Sequence, residues 1–479
     1  MALSAAATFF GQQVGSDTLT QDLFYGLASV CLMLVVMAIG LIDGGLVRRK
    51  NLLDTWVTKL VCAVLAGGAF LFIGYGIWNW QFYSALAIPN PLSQAIKDWW
   101  IGGPNMTTFA QGLDPKLVPQ ADVFQVFVLF FVAYAMVIGA LIHSAGLERV
   151  KRAPLIVLSI IGGGIAMPLM TYLTWGSTSF LTNGGTHDFL GVFSLYIFVG
   201  VWALILAWRA GPRLGAFVAD KRTIGPVPHS LGMSASGAAL LLFCVPFLAV
   251  GCGYFVPGQG YFGISMSSSG IGIVMINTAA AYAGGMIGGG LLSWRTRNPL
   301  FVLLGPAAGY VGAGTVMDVL HPWVVWVIAM FAPVALYATY RLLLRLRIDE
   351  KKIVPLGLGC GLYSAVVGGF VAWHTKTGGY FGLKGHYGFE HAEIGPGMQL
   401  AGAGITIAIA AISGLVLIIG LEKTIGLRVS EKVELEGLDA SSWLYPPSDH
   451  LDLPAASRNG SGDAGSVSDP DEVPGGAPA

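Results

Sequence analysis

The chain has 479 residues, of which 54% are hydrophobic and only 11% are charged. A soluble domain carries about 25% charged residues, so this composition argues against a soluble enzyme. The chain has 26 basic and 26 acidic residues, and this balance argues against a nucleic-acid-binding protein, which would need a basic excess.

Eleven apolar segments are long enough to cross a bilayer, whose hydrocarbon core of about 30 Å needs about 20 helical residues. Their predicted bounds are 22–42, 57–79, 122–143, 154–175, 188–208, 230–253, 264–292, 299–317, 322–344, 353–373 and 396–420. These segments predict an all-α polytopic membrane protein with eleven transmembrane helices.

The basic residues between the segments predict the orientation. With the N-terminus outside, 22 of the 26 fall on one side, where Lys59 is counted with the loop before the second segment. The other side holds Lys97, Lys116, Lys376 and Lys384. Because positive loops stay in the cytoplasm, we predict a cell-membrane protein with its N-terminus out and its C-terminus in. Eleven helices fit two inverted five-helix halves plus one further helix.

The chain lacks the sequence motifs of ATPases and of metalloproteases. It contains neither G-x-x-x-x-G-K-[ST] nor H-E-x-x-H, and no paired carboxylates lie in the predicted spans. The five cysteines fall in or beside spans, and we interpret them as apolar packing residues. We therefore predict no enzymatic activity, no cofactor and no metal site.

Two polar positions mark the outer ends of the fourth and fifth spans. Trp175 is typical of a membrane anchor, and the alternative is a cation–π contact with a small cation. Asp188 is typical of a helix cap, and the alternative is a fixed anion that shapes a cation vestibule. His187 directly precedes the fifth span, at a position where its side chain can be exposed, and we interpret it as structural. No histidine falls at mid-span, so the sequence predicts no buried histidine pair.

The seventh segment, 264–292, consists almost entirely of small residues, with Asn277 and Thr278 near its middle. Small residues let helices approach closely, and asparagine can bond across such an interface. We interpret the two polar residues as structural; the alternative is that they line a path.

The end of the chain differs in composition. Residues 421–479 contain 11 acidic and 4 basic residues, and the part after 452 is rich in Pro, Gly, Ser and Ala. Such a segment cannot bury enough apolar surface to fold. We predict a transmembrane domain at 1–420, a cytoplasmic tail at 421–452, of which 421–443 docks, and a disordered tail at 453–479.

Short motifs follow one another along the chain. They are DGGLVRRKN at 43–51, DFLG at 188–191, PH at 228–229, NT at 277–278, PAAGY at 306–310, GLRVS at 426–430 and EGLD at 436–439. In this order they resemble the motifs of the ammonium transporter family (Amt/Mep/Rh), and the chain is similar to a divergent bacterial-type member. The tail motifs are the most specific.

The resemblance implies a homotrimer in the membrane that conducts ammonium or ammonia through one narrow pore per subunit. Trp175 matches the family's outer-site tryptophan. Phe247 matches the inner gate phenylalanine, and the outer gate maps to Val128–Phe130, represented here by Phe130. The family's site serine falls at Gly251 or the neighbouring Cys252. The implied substrate-binding residues are Trp175, Asp188, Gly251 and Cys252, and the implied pore residues are Phe247, Tyr196, Leu358 and Phe130.

The family's pair of pore histidines is replaced. By alignment the first falls at Tyr196 and the second at Leu358. A tyrosine, with a pKa near 10, is a poor proton relay at neutral pH, and leucine offers no polar group. Two alternatives to ordinary conduction therefore stay open: an ammonium sensor that conducts little, or a channel for another small amine or a neutral gas.

The resemblance also implies regulation from the tail. In the family, PII-type signal proteins dock on the cytoplasmic face, and here Arg48, Arg49 and residues 421–443 would form that surface. The tail residues that carry the motif, and hence the implied regulatory role, are Gly426, Arg428, Glu436, Gly437 and Asp439.

Overall fold

The computed structural model describes residues 16–107, 121–217 and 226–443, and the part of the tail predicted to be disordered lies outside them. The first helices are α1 (Ser16–Leu46), α2 (Leu52–Ala69), α3 (Tyr75–Ala85), α4 (Pro91–Trp99), α5 (Pro104–Thr107), α6 (Ala121–Ala145), α7 (Arg152–Ile161), α8 (Met167–Trp175), α9 (Phe180–Gly184) and α10 (Phe198–Ala210). The later ones are α11 (Leu231–Gly251), α12 (Ile271–Thr296), α13 (Leu300–Ala313), α14 (Pro322–Arg345), α15 (Gly361–Val371), α16 (Pro396–Thr424), α17 (Glu431–Glu436) and α18 (Leu438–Trp443).

Four wide, π-helical turns interrupt or open the long helices. Phe70–Gly74 joins α2 to α3 and Gly162–Ala166 joins α7 to α8, while Val192–Ile197 leads into α10 and Pro355–Cys360 leads into α15. Such turns are rare and are frequently found at functional sites. The last two contain Tyr196 and Leu358.

Short strands cover one end of the bundle. β1 (Gly253–Val256), β2 (Gly260–Gly263) and β3 (Ser268–Ser269) form an antiparallel sheet in which Tyr254 pairs with Phe262. β4 (Lys376–Thr377) and β5 (Ala392–Glu393) form a second antiparallel pair. The predicted start of the seventh span at 264 was wrong, because the serine-rich stretch before Ile271 forms β3 and turns, and α12 begins only after it.

Each of the eleven predicted segments contains helix. Within the described residues, nine helical stretches are long and apolar enough to cross a membrane, and Leu300–Ala313 and Pro355–Val371 are shorter apolar helices. The predicted boundary at 420 falls inside α16, which continues to Thr424. The architecture is therefore an all-helical bundle of membrane-spanning type, as the composition predicted.

Glycines on α12 bring three backbones together. A Cβ on Gly285 would clash with the Gly305 carbonyl on α13, and one on Gly288 would clash with the Met330 carbonyl on α14. Asn277 is fully buried and donates to the carbonyl oxygens of Met317 and Leu320 at 2.6 and 2.8 Å. These contacts favour the structural interpretation of the small-residue segment.

Candidate functional site

Trp175 lies in a buried group of aromatic rings rather than at a surface. Its exposed fraction is 1%, and its indole N–H donates to the Asp188 carbonyl at 2.5 Å. The rings of Trp78, Phe131 and Tyr134 surround it at centroid distances of 6.3, 6.1 and 5.5 Å. The anchor interpretation of Trp175 does not fit this burial, whereas an aromatic wall remains compatible with a cation contact.

Asp188 is a helix cap, as one of its two interpretations predicted. Its side chain is fully buried, and its two carboxylate oxygens accept the backbone N–H groups of Val192 and Phe193 at 2.6 and 3.0 Å. The helical turn consequently begins four residues later than the predicted span. A carboxylate at this position complements the positive end of the helix, and it lies next to Trp175.

His187 is fully buried, so its predicted openness to exposure was wrong. Its Nε2 lies 2.9 Å from a carboxylate oxygen of Asp318, and its Nδ1 lies 2.8 Å from the hydroxyl of Thr377. Asp318 also accepts from the Ser267 hydroxyl. The histidine thus joins its own loop, the loop after α13 that contains Asp318 and strand β4, which is a structural role. Sequence reasoning missed Asp318 because 131 residues separate it from its partner.

The two positions of the replaced histidines lie at a crossing of two helical segments. A Cβ on Gly357 would clash with the Tyr196 carbonyl, and one on Gly200 would lie 2.9 Å from the Leu358 nitrogen. Tyr196 and Leu358 are both half-buried, and Tyr196 is close enough to Cys252 and Tyr310 for electrostatic interaction. The structure therefore brings the two predicted pore positions together, with hydroxyl and thiol groups nearby.

Phe130 and Gly251 are also in contact. Phe130 is fully buried, and a Cβ on Gly251 would lie 2.5 Å from its ring and 2.6 Å from Ala28. No side chain, and hence no serine hydroxyl, fits at Gly251 unless these neighbours move. Cys252 is buried, and its thiol donates to the Leu248 carbonyl at 3.5 Å. Of the two candidates for the family's site serine, Cys252 is the one that carries a polar side chain.

Phe247 lies outside this buried group, and its role as the inner gate stays a prediction. Its side chain is 38% exposed and follows Phe243, 75% exposed, along the outer face of α11. Leu248, one residue on, is 8% exposed and lies on the buried face with Cys244 and Cys252. The motif match around Pro246 lacks exact identity, and a shift of one residue turns a side chain by about 100° around a helix.

The tail docks through a buried carboxylate. Glu434 is fully buried; one oxygen accepts the Leu214 N–H at 2.7 Å, and the other accepts from Arg428 at 2.7 Å. Arg428 also donates to the carbonyls of Ala210 and Pro212 at 2.9 and 2.7 Å. Sequence reasoning named Arg428 but missed Glu434, which is the residue that ties the tail to the end of α10.

A second set of contacts fixes the last helix. Asp439 accepts the backbone N–H groups of Leu53 and Asp54 at 3.0 and 2.8 Å and so caps α2. Gly437 has a φ of 105°, and a side chain there would also clash with Lys50. Glu436, in contrast, is exposed and pairs with Lys432 at 3.7 Å. All these contacts agree with a docked 421–443 segment.

Beneath the tail lies an ion network that we call the charged end, formed by Arg48, Glu148, Arg213 and Asp349. Glu148 bonds Arg48 at 2.9 Å and Arg213 at 2.8 Å, and Asp349 bonds Arg213 at 2.7 Å. Burial acts to raise the pKa of both carboxyl groups, but the guanidinium groups outweigh it and hold both pKa values below the usual range. Arg48 is therefore engaged inside the protein rather than presented as a free docking residue.

Lys59 was counted as a loop residue when the orientation was predicted, but it does not lie in a loop. It lies in α2 with 1% of its surface exposed, and its ammonium group bonds Asp43 at 2.7 Å. Lys352 contacts the other oxygen of Asp43, and we call Asp43, Lys59 and Lys352 the lysine triad. The ammonium group of Lys59 also donates to the hydroxyl oxygen of Ser144 at 2.9 Å. The triad places two cations around one carboxylate in a buried site.

Comparisons with known proteins agree with this geometry. The Ammonium Transporter Family model matches residues 23–443. Ammonium transporter Amt1 of Methanocaldococcus jannaschii is 29% identical over 407 residues, which cover 83% of this chain and 89% of the relative. Amt1 of Archaeoglobus fulgidus is 27% identical over 427 residues, which cover 87% and 96%.

Two solved structures share the fold. A structure titled Sensor Amt Protein superposes with a TM-score of 0.69 at 19% identity, covering 89% of this chain and 98% of that one. Mep2 of Candida albicans superposes with a TM-score of 0.65 at 19% identity, covering 88% of each chain. At this identity the likeness concerns the fold.

Proposed function

The chain belongs to the ammonium transporter family, and from that premise we propose that it conducts ammonium or ammonia through a narrow pore in each subunit of a homotrimer. The family consists of transporters rather than enzymes, and the chain is a multi-pass membrane protein. We further propose eleven crossings in the cell membrane, with the N-terminus outside and the C-terminus in the cytoplasm. The strong asymmetry of Lys and Arg supports this orientation.

An inverted five-plus-five repeat is supported by two matching helix starts. Asp188 accepts the N–H groups of Val192 and Phe193, and Glu350 accepts those of Lys352, Ile353 and Val354. Each carboxylate stands eight residues before a pore position, Tyr196 in one case and Leu358 in the other. The same device thus recurs in both halves of the chain, at the two segments that cross.

The observation that carries the proposal is the crossing of these segments. This crossing brings the backbones at Tyr196 and Leu358 close together. The chain also contains the buried contact between Trp175 and Asp188. Neither pore position offers an imidazole, and tyrosine, with a pKa near 10, is a poor proton relay at neutral pH. We infer that the substrate either crosses whole, as the ammonium cation, or leaves its proton outside and crosses as ammonia.

The experiment is an ammonium pulse on proteoliposomes, with charge movement and internal pH recorded together and protein-free liposomes as the control. A current indicates that the cation, or ammonia with a proton, crosses. A rapid internal alkalinisation without current indicates neutral ammonia. Silence in both signals contradicts transport of ammonium. The same assay with methylammonium then tests another amine, and light scattering of vesicles under a urea gradient tests a neutral cargo.

The docked tail favours a second candidate, an ammonium sensor with little conduction that a PII-type signal protein recognises. Arg428 and Glu434 hold the tail against the end of α10, whose first turns follow Tyr196. The transmembrane domain, proposed as 1–420, and the tail, proposed as 421–452, would then act as receptor and readout. Binding of a purified PII-type protein at varied ammonium concentration tests it, and binding that ignores ammonium contradicts it.

A further inference from the structure

A large cavity opens at the charged end, outside the crossing of the pore segments. It has a volume of about 930 Å³ and lies between the start of α11, the α12–α13 turn, the end of α14 and the loop at 349–352. Pockets for small organic ligands typically measure about 300–1,000 Å³. The cavity is therefore large enough for an organic molecule rather than only for an ion.

Positive charge dominates the wall of this cavity. Its acidic residues, Asp349 and Glu350, are already engaged, because Asp349 bonds Arg213 and Glu350 accepts backbone N–H groups. Its basic residues outnumber them and are Arg149, Arg213, Arg295, Arg297, Arg341, Lys351 and Lys352. The wall therefore keeps a positive excess that its own carboxylates do not neutralise.

Three of the arginines are available to a ligand. Arg295 lies in the last turn of α12, Arg297 follows that helix and Arg341 lies in α14, and all three are exposed. In the part of the chain that the structure describes, no carboxylate lies within ion-pair distance of any of them. Arg341 donates to the Tyr337 hydroxyl at 2.9 Å, which orients its guanidinium group.

The same cavity has an aromatic side. Phe301, Tyr337 and Tyr340 line it, and the ring of Phe301 meets each tyrosine edge-on at a centroid distance of 5.3 Å. A bare inorganic anion would use only the arginines. An aromatic and apolar wall beside them suits a ligand that carries a flat or apolar organic part.

We propose that this cavity binds an organic phosphate, with its phosphate groups on Arg295, Arg297 and Arg341 and its organic part against Tyr337 and Tyr340. Guanidinium groups pair with phosphate oxygens in a bidentate manner, which makes arginine the preferred residue for such ligands. A nucleotide and the headgroup region of an anionic phospholipid share this chemistry. The site is additional to the proposed transport function, and its binding test does not depend on conduction.

The test measures binding to the purified full-length protein. The soluble arm titrates ATP and, as a phosphate without an organic part, inorganic pyrophosphate, by calorimetry in detergent. The lipid arm measures retention of phosphatidylglycerol against phosphatidylcholine by native mass spectrometry. The cavity variant is R295Q/R297Q/R341Q. The matched control is R345Q/R347Q, which removes two exposed arginines from the end of α14 that do not line the cavity.

We expect saturable binding by the wild type and the control, and affinity at least about tenfold lower in the cavity variant, since several charge-assisted bonds are lost. Stronger binding of ATP than of pyrophosphate assigns a nucleotide-like ligand, and selective loss of phosphatidylglycerol assigns a lipid. An equal loss in the cavity variant and the control, or no saturable binding in either arm, overturns the proposal. Thermal melting of all three proteins confirms that the variants are folded.

Discussion

At the scale of single residues, the proposed pore positions are a few side chains set in a helical frame of the family's fold. Tyr196 and Leu358 occupy the positions at which the two helical segments cross, and Gly251 leaves room for Phe130. The backbone geometry at these positions belongs to the scaffold, whereas the chemistry offered to a substrate depends on the side chains. Substitutions at these sites therefore separate the contribution of the backbone scaffold to transport from that of the side chains.

Restoring the imidazoles is the first residue-scale prediction. We expect Tyr196→His with Leu358→His to raise the ammonium-evoked current severalfold, because two imidazoles can relay or solvate the substrate at the crossing. The current on solid-supported membranes measures it, with Tyr196→Phe as the matched variant that adds no imidazole. A folded double variant with unchanged current would show that the crossing is not on the conduction path.

The second residue-scale prediction concerns Gly251. A serine there must displace Phe130 or Ala28, and overpacking of this kind costs about 1–3 kcal/mol. We expect Gly251→Ser to lower the melting temperature in detergent by several degrees. Gly404→Ser, on α16 with no heavy atom near its Cβ position, should leave it unchanged. Equal melting temperatures for the two variants would contradict the contact.

At the scale of elements, the sequence was a good guide wherever structure depends on neighbouring residues. Each apolar run became a helix, and the glycines of α12 became the close interface that they indicated. Features built from distant residues were missed, such as the Asp318 partner of His187 and the Glu434 contact of the tail. For Phe247 the motif match lacks exact identity and does not fix the rotation about α11, so its role as the inner gate stays a prediction.

The tail prediction belongs to this scale. Glu434→Ala removes the acceptor of the Leu214 N–H and of the Arg428 Nη2 group, whereas the Arg428 Nη1 group keeps its two carbonyl acceptors. Because Arg428 is partly exposed, we expect a cost of about 1–3 kcal/mol rather than that of a fully buried pair. Limited proteolysis of residues 425–443 should accelerate about tenfold. The control is Glu436→Ala on the exposed side of the same helix. Equal cleavage rates of the two variants would contradict a role of Glu434 in docking the tail.

The charged end should respond to acid. The folded-state pKa values of Asp349 and Glu148 lie below their unfolded values of 3.8 and 4.5. Their stabilisation is therefore complete above those unfolded values and is lost as the pH falls through the folded ones. We expect the melting temperature to hold from pH 7 to about pH 5 and to fall below about pH 4.

Arg213 decides how large that loss is. In Arg213→Gln both carboxyl groups lose their main cation, so their folded pKa values rise towards the unfolded ones. The melting temperature should therefore be lower than that of the wild type at pH 7 and should fall less on acidification. Arg209→Gln removes an exposed pair with Glu422 and should follow the wild-type curve. A wild-type curve that falls between pH 7 and pH 5, or identical curves for both variants, would exclude this origin of the acid response.

At the scale of the whole molecule, the orientation determines which solution each end meets. The proposed C-terminus in the cytoplasm puts the docked tail, the charged end and its cavity on one side and the β-strands on the other. Every cysteine in the described part of the chain is buried, so introduced cysteines can report the side directly.

We expect Glu436→Cys to react with a membrane-impermeant maleimide only in inside-out vesicles, and Lys384→Cys only in right-side-out vesicles. Both native side chains are exposed, so access should depend on sidedness alone. The unmodified protein controls for reaction at the native cysteines. Labelling of both variants from the same side would refute the odd number of crossings between them.

The lysine triad has a consequence for how this sequence could have arisen and how it could drift. Asp43 faces two cations, so the loss of either Lys59 or Lys352 leaves a matched pair, whereas the loss of Asp43 leaves two buried ammonium groups opposed. An uncompensated buried charge costs about 3–5 kcal/mol. Reconstructed ancestral sequences should therefore contain the aspartate before the second lysine. In any lineage that loses the lysine triad, a lysine should be lost before the aspartate.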